Sequence, residues 1–169
     1  CGDHGGPAWE PMFFYHNTVL AGNAPFRGGY LEGLGRAIAE GTPRRLFNNI
    51  VVQCGGLPGH VFQEKNPDFI ADGNLHWCVA PGVTWQPAEF LQKMRNAKTV
   101  QEGKTRYAAG WGAHDVAADP CFLTFSPEWR EPVDVHLQKN SPARGAAVPI
   151  PADWPPVSSA RVVGATALG

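Results

Sequence analysis

Arg45-Leu46-Phe47-Asn48-Asn49-Ile50-Val51-Val52-Gln53 is the stretch on which the reading of the fold turns. Aromatic and β-branched residues fill it, and Pro43 and Gly55 bound it, which is the pattern of a strand. At its centre an Asn leads an apolar run, Asn49 before Ile50-Val51-Val52. The same arrangement occurs twice more. Asn17 leads Thr18-Val19-Leu20 at the end of the run Met12–Leu20, and Asn74 leads Leu75-His76-Trp77 within Asp72–Cys78. The three Asn residues are 32 and 25 residues apart, which predicts stacked turns with insertions of varying length. An Asn at the same corner of successive turns can bond its neighbours above and below, and a buried amide needs such partners. Asn17, Asn49 and Asn74 are therefore expected to form a structural ladder rather than to act in catalysis.

Working outward, the chain has 169 residues, which is the length of one domain, and we read 1–169 as a single domain. The 20 glycines and 16 prolines make it turn often, so short strands are expected over long helices. A formal charge of -1 gives no general attraction to nucleic acid, which is excluded as a partner, or to an anionic membrane. No run approaches the length of a membrane-spanning helix. Cys121–Phe125, Val133–Leu137 and Ala160–Ala165 are shorter strand candidates. One helix is expected over Pro87–Ala97, opened by a first-turn Pro and carrying Phe90, Leu91 and Met94 on one face. A weaker helical stretch, Leu31–Glu40, is interrupted by Gly33 and Gly35. Residues 146–169 read as an extended Pro-rich tail followed by a final strand.

The second half carries an ordered series: His114-Asp115, Asp119-Pro120-Cys121-Phe122, Val133–Leu137, Ser141-Pro142-Ala143 and Gly164-Ala165. In that order it resembles the closing coils of bacterial right-handed parallel β-helix repeat proteins. The upstream Asn-led runs resemble the repeating coils of the same proteins. The resemblance covers about Phe13 to Gly164. It implies an all-β fold, the C-terminal portion of a right-handed parallel β-helix with one short external helix. Arg144-Gly145 departs from the acidic residue and Gly that usually follow the Ser-Pro-Ala turn.

Because many such proteins are polysaccharide lyases or glycoside hydrolases, the resemblance implies binding or processing of an extended polysaccharide. The alternative is a non-catalytic structural or assembly subunit that docks on a partner protein, since a fold does not fix a function. A lyase needs a base and a cation to neutralise a uronic carboxylate. The candidate catalytic set is His60, Lys65 and Arg45. A hydrolase needs paired carboxylates, for which Glu64, Asp68, Asp72, Asp115 and Asp119 are available. Each lies in a turn-rich setting where Asp commonly caps. His114-Asp115 is assigned to a structural turn, and the six Trp to core packing before sugar stacking.

No HExxH, paired metal-ligand His or Cys cluster is present, so no metal site and no cofactor is expected, with calcium left open. Cys54, Cys78 and Cys121 read as small core residues. Cys1 is read as a truncation point or a candidate lipidation site. The expected location is extracytoplasmic, with membrane contact only if Cys1 carries lipid. An uncovered N-terminal end would expose unpaired backbone. Upstream coils or a symmetry mate are therefore expected to cover it.

Overall fold

The computed structural model describes residues 11–21, 42–54, 69–79, 86–96, 107–128 and 130–155. His60, Lys65, Cys1, the 31–40 stretch and the 160–165 strand lie outside them.

Three strand–corner–strand units carry the architecture. They are β1 (Met12–Tyr15) with β2 (Thr18–Ala21), β3 (Arg44–Phe47) with β4 (Ile50–Gln53), and β5 (Phe69–Asp72) with β6 (Leu75–Cys78). Each run is broken by two residues, so its two halves enter different sheets. The first corner residue holds the left-handed backbone: His16 at φ 57°, Asn48 at φ 56° and Gly73 at φ 69°. That single residue re-aims the chain, and Asn is one of the few residues with a side chain to adopt it readily. At Gly73 the reason for glycine is also spatial. A Cβ there would lie 2.4 Å from Asn48 Oδ1 and 3.2 Å from the Val148 backbone nitrogen.

The first halves pair in parallel as β1-β3-β5 and the second halves as β2-β4-β6. Register is strict: Tyr15 beside Phe47 beside Asp72, and Thr18 beside Ile50 beside Leu75. β7 (Val116–Ala117) adds a two-residue fourth member to the second sheet. β3, β4 and β5 are buried almost throughout, with Phe47, Val52 and Phe69 essentially sealed. Strands covered on both faces read as continuous apolar runs, which is how Ile50–Val52 reads.

α1 (Pro87–Asn96) lies against β6 and β7, burying Leu91 and Met94. Glu89 in its first turn and Lys93 and Arg95 in its last complement the helix dipole. β8 (Phe122–Thr124) and β9 (Asp134–Leu137) form a separate antiparallel pair. Phe122 and Leu137 from it pack on Ile50, Val52 and Leu75, with Ala143 sealed beneath. Ser141 Oγ donates to the Pro120 carbonyl at 2.6 Å, which ties the Ser-Pro-Ala turn to the Asp-Pro corner. Arg144 donates to the Leu137 and Gln138 carbonyls.

This arrangement corrects the expected fold class. The described residues form two small parallel sheets of three and four strands, one antiparallel pair and one helix, and the sheets are not closed into a right-handed parallel β-helix. The chain leaves the stack after β7. Cys121 then takes φ 52° beside the Asp119-Pro120 corner, and the next strand pairs with β9 rather than adding to β7. Cys78 and Cys121 are only partly buried, whereas Cys54 is buried, and burial pushes its thiol up to about 11.

The segment 146–155 runs back along the first sheet. Val148 exchanges two hydrogen bonds with the Asn48 amide, Nδ2 to its carbonyl at 2.8 Å and its nitrogen to Oδ1 at 2.9 Å. Trp154 sits edge-on to Phe47 at 4.7 Å and to Phe13 at 5.3 Å. Tyr15 donates its hydroxyl to the Pro155 carbonyl.

Candidate functional site

The second corner residues form a directional file. Asn17 donates its backbone N–H and its Nδ2 to Asn49 Oδ1, both at 3.1 Å. Asn49 donates the same two groups to Asn74 Oδ1, at 3.0 and 2.9 Å. Asn74 donates them to Asp115 Oδ1, at 2.8 and 3.3 Å. The second amide hydrogen of each Asn goes to a backbone carbonyl, Tyr15 for Asn17, Phe14 for Asn49 and Leu46 for Asn74. The file therefore has a polarity: every amide is aimed at the next, and a carboxylate ends the series.

That carboxylate is one of two buried at the same end. Asp115 stands just before β7, and its Oδ2 meets His76 Nε2 at 3.0 Å. An ionised carboxylate only accepts, so Nε2 carries the proton. His76 Nδ1 is buried with no partner, and Phe90 of α1 lies edge-on at 5.9 Å. Arg95 fixes the surrounding turn by donating to the Gly112 carbonyl at 2.7 Å and the Asp115 carbonyl at 2.6 Å.

Asp72, the last residue of β5, is the second. Its side chain is fully buried and takes three donors. The His114 backbone N–H reaches Oδ1 at 2.7 Å, His114 Nδ1 reaches Oδ2 at 2.7 Å, and the Tyr107 hydroxyl reaches Oδ2 at 2.5 Å. Burying a charge without such bonds is costly, and bonds to an ionised acceptor are the strong ones. Burial, then the bond to Asp72, pushes the Tyr107 hydroxyl well above the usual tyrosine range. It therefore stays a donor.

Of the candidate catalytic set, only Arg45 is described. It lies half-buried on β3, in register with Phe13 and Ile70, and its NH1 donates to the Arg44 carbonyl at 3.1 Å. His60 and Lys65 lie outside the described residues, as do Glu64 and Asp68. Asp119 is exposed and turns its Oδ1 to the Cys121 nitrogen, a local cap. Sequence reasoning gave His114 a turn, and Asp115 a turn or a place among the candidate carboxylates. It missed that His114 meets Asp72 and that Asp115 completes the Asn file. The partners are 42 and 41 residues apart, and no local pattern joins them.

Among the described residues no three His, Cys, Asp or Glu side chains gather to hold a metal ion, and no helix is long and apolar enough to cross a membrane. No family model matches the chain and no curated protein or solved structure does, so nothing there identifies a β-helix repeat protein.

Proposed function

We propose that the chain is an assembly scaffold whose β1–β2 end receives one further strand–corner–strand unit of polypeptide. The observation that supports this most is the polarity of the amide file. At the Asp115 end the donors terminate on a carboxylate, and the Asp115 N–H is already given to the Gly112 carbonyl. At the other end, among the described residues, Asn17 Oδ1 receives no donor and β1 and β2 pair on one side only. His16 Nδ1 and Thr18 Oγ1, flanking Asn17, are also buried without partners. Each of these two buried unmet atoms costs roughly 1–3 kcal/mol. A unit with an amide donor at its corner supplies what Asn17 lacks. A second copy stacked head to tail does not, because it would present the acceptor-only Asp115.

Polysaccharide processing draws no comparable support from the described residues, where Arg45 turns its NH1 to the Arg44 carbonyl. A synthetic peptide spanning Arg44–Gln53 is a ready-made test unit, with Asn49 at the corner. Fluorescence anisotropy of the labelled peptide against the full chain should show saturable binding. The same peptide with Asn49→Asp presents a carboxylate to Asn17 Oδ1 and should bind at least ~10-fold more weakly, a difference of about 1.4 kcal/mol. A chain that ignores the first peptide, or binds both equally, overturns the proposal.

A further inference from the structure

The closed end of the stack holds a group that a purely structural cap does not require. His114 is 54% exposed, yet its Nδ1 is held at 2.7 Å by a carboxylate with no exposure at all. Asp72 in turn is fixed by the Tyr107 hydroxyl and by the His114 backbone N–H. Because the carboxylate accepts only, the His114 proton sits on Nδ1. The lone pair of Nε2 then lies on the far side of the ring, the side turned away from the buried carboxylate.

We propose that His114 is an acid–base site, positioned by Asp72, whose Nε2 takes a proton from water or from the hydroxyl of a substrate bound at this end. Among the described residues His114 has a side-chain partner at Nδ1 and none at Nε2. Ala113, its neighbour along the chain, is exposed and small. The step balances simply. Nε2 accepts the proton of water as the water oxygen attacks an acyl carbon. The imidazolium then returns that proton to the leaving alkoxide.

His136 supplies an internal control. Its Nδ1 also meets an aspartate, Asp134 at 2.5 Å, but that pair lies two residues apart on one strand with both side chains well exposed. A pre-organised base differs from a surface contact in having its carboxylate locked from behind, which Asp72 has and Asp134 lacks. His76 on the locked Asp115 is itself buried, so of these three described pairs only that of His114 joins a locked carboxylate to an exposed ring.

Two measurements on the full chain test this. Long-range proton–nitrogen spectra of the imidazoles should show His114 in the Nδ1–H tautomer. Asp72→Asn, which also offers a donor, should shift it toward Nε2–H. With p-nitrophenyl acetate as the probe ester, His114→Gln should lower kcat by at least ~10-fold, a modest share of what general bases contribute. His136→Gln should leave the rate unchanged. Asp72→Asn should lower kcat with little change in KM. An Nε2–H tautomer in the unaltered chain overturns the positioning by Asp72. Hydrolysis unaffected by His114→Gln, or absent from the unaltered chain, overturns the acid–base site.

Discussion

At the first corner a histidine occupies the backbone position that an asparagine fills at the second, φ 57° against φ 56°. The asparagine uses its amide to hold Val148, whereas the imidazole nitrogen of His16 has no partner and burial lowers its affinity for a proton below the ordinary 6.5. The unfolded chain therefore binds a proton first. Stability from this group is present above pH 6.5 and is lost as pH falls below it. His16→Asn should remove that loss: urea unfolding of the two proteins should diverge in favour of the variant as pH falls from 7 toward 5. Equal slopes in that window would count against the account. The residue scale is also where sequence reading reached least far. Asn17, Asn49 and Asn74 announce themselves because each leads a short apolar run. Asp115 does not, because a different residue type takes the fourth place. Tyr107, Asp72 and His114 carry no shared pattern, and they meet only through the fold.

Among the elements, the extended segment 146–155 has the least regular structure and some of the most specific contacts. It has no strand of its own, yet it packs on the core of the first sheet through Val148, Ile150 and Trp154. Trp154 stacks edge-on against aromatic rings from β1 and β3, an arrangement that adds to simple area burial. Trp154→Ala should cost about 2 kcal/mol, less than a fully sealed aromatic because the ring is only half-buried. The midpoint of urea unfolding measures it, and amide exchange should quicken at Met12–Tyr15 before Ile50–Gln53. The Pro-rich composition of 146–155 predicts an extended backbone, because Pro lacks the N–H that a sheet needs. What it packs against is invisible in composition. The runs Met12–Leu20 and Asp72–Cys78 read as single strands because the eye follows apolar character. One left-handed residue, His16, splits the first in two, and Gly73 parts Asp72, the end of β5, from β6.

For the molecule as a whole, Asp115 is where the stack closes, and it receives Asn74 and His76 together. Asp115→Ala would strand both buried donors and should cost about 3–5 kcal/mol, the cost of removing one partner from a buried pair. Asp115→Asn keeps an acceptor for Asn74 and should cost markedly less. Denaturant unfolding of both variants, with the order reversed, would contradict the role given to this carboxylate. Repeat spacing points to turns of a solenoid, whereas the described strands stack in two parallel sheets that are not closed into one. It could not reveal that the series stops at a two-residue strand, because stopping is done by Asp115 and Cys121 outside the repeat. The direction of the amide file has a further consequence for biosynthesis. The ribosome releases Asn17 first and Asp115 last, so the newest level always leads with unmet donors until the carboxylate emerges. Across the 41 residues between Asn74 and Asp115 that interval lasts on the order of a few seconds.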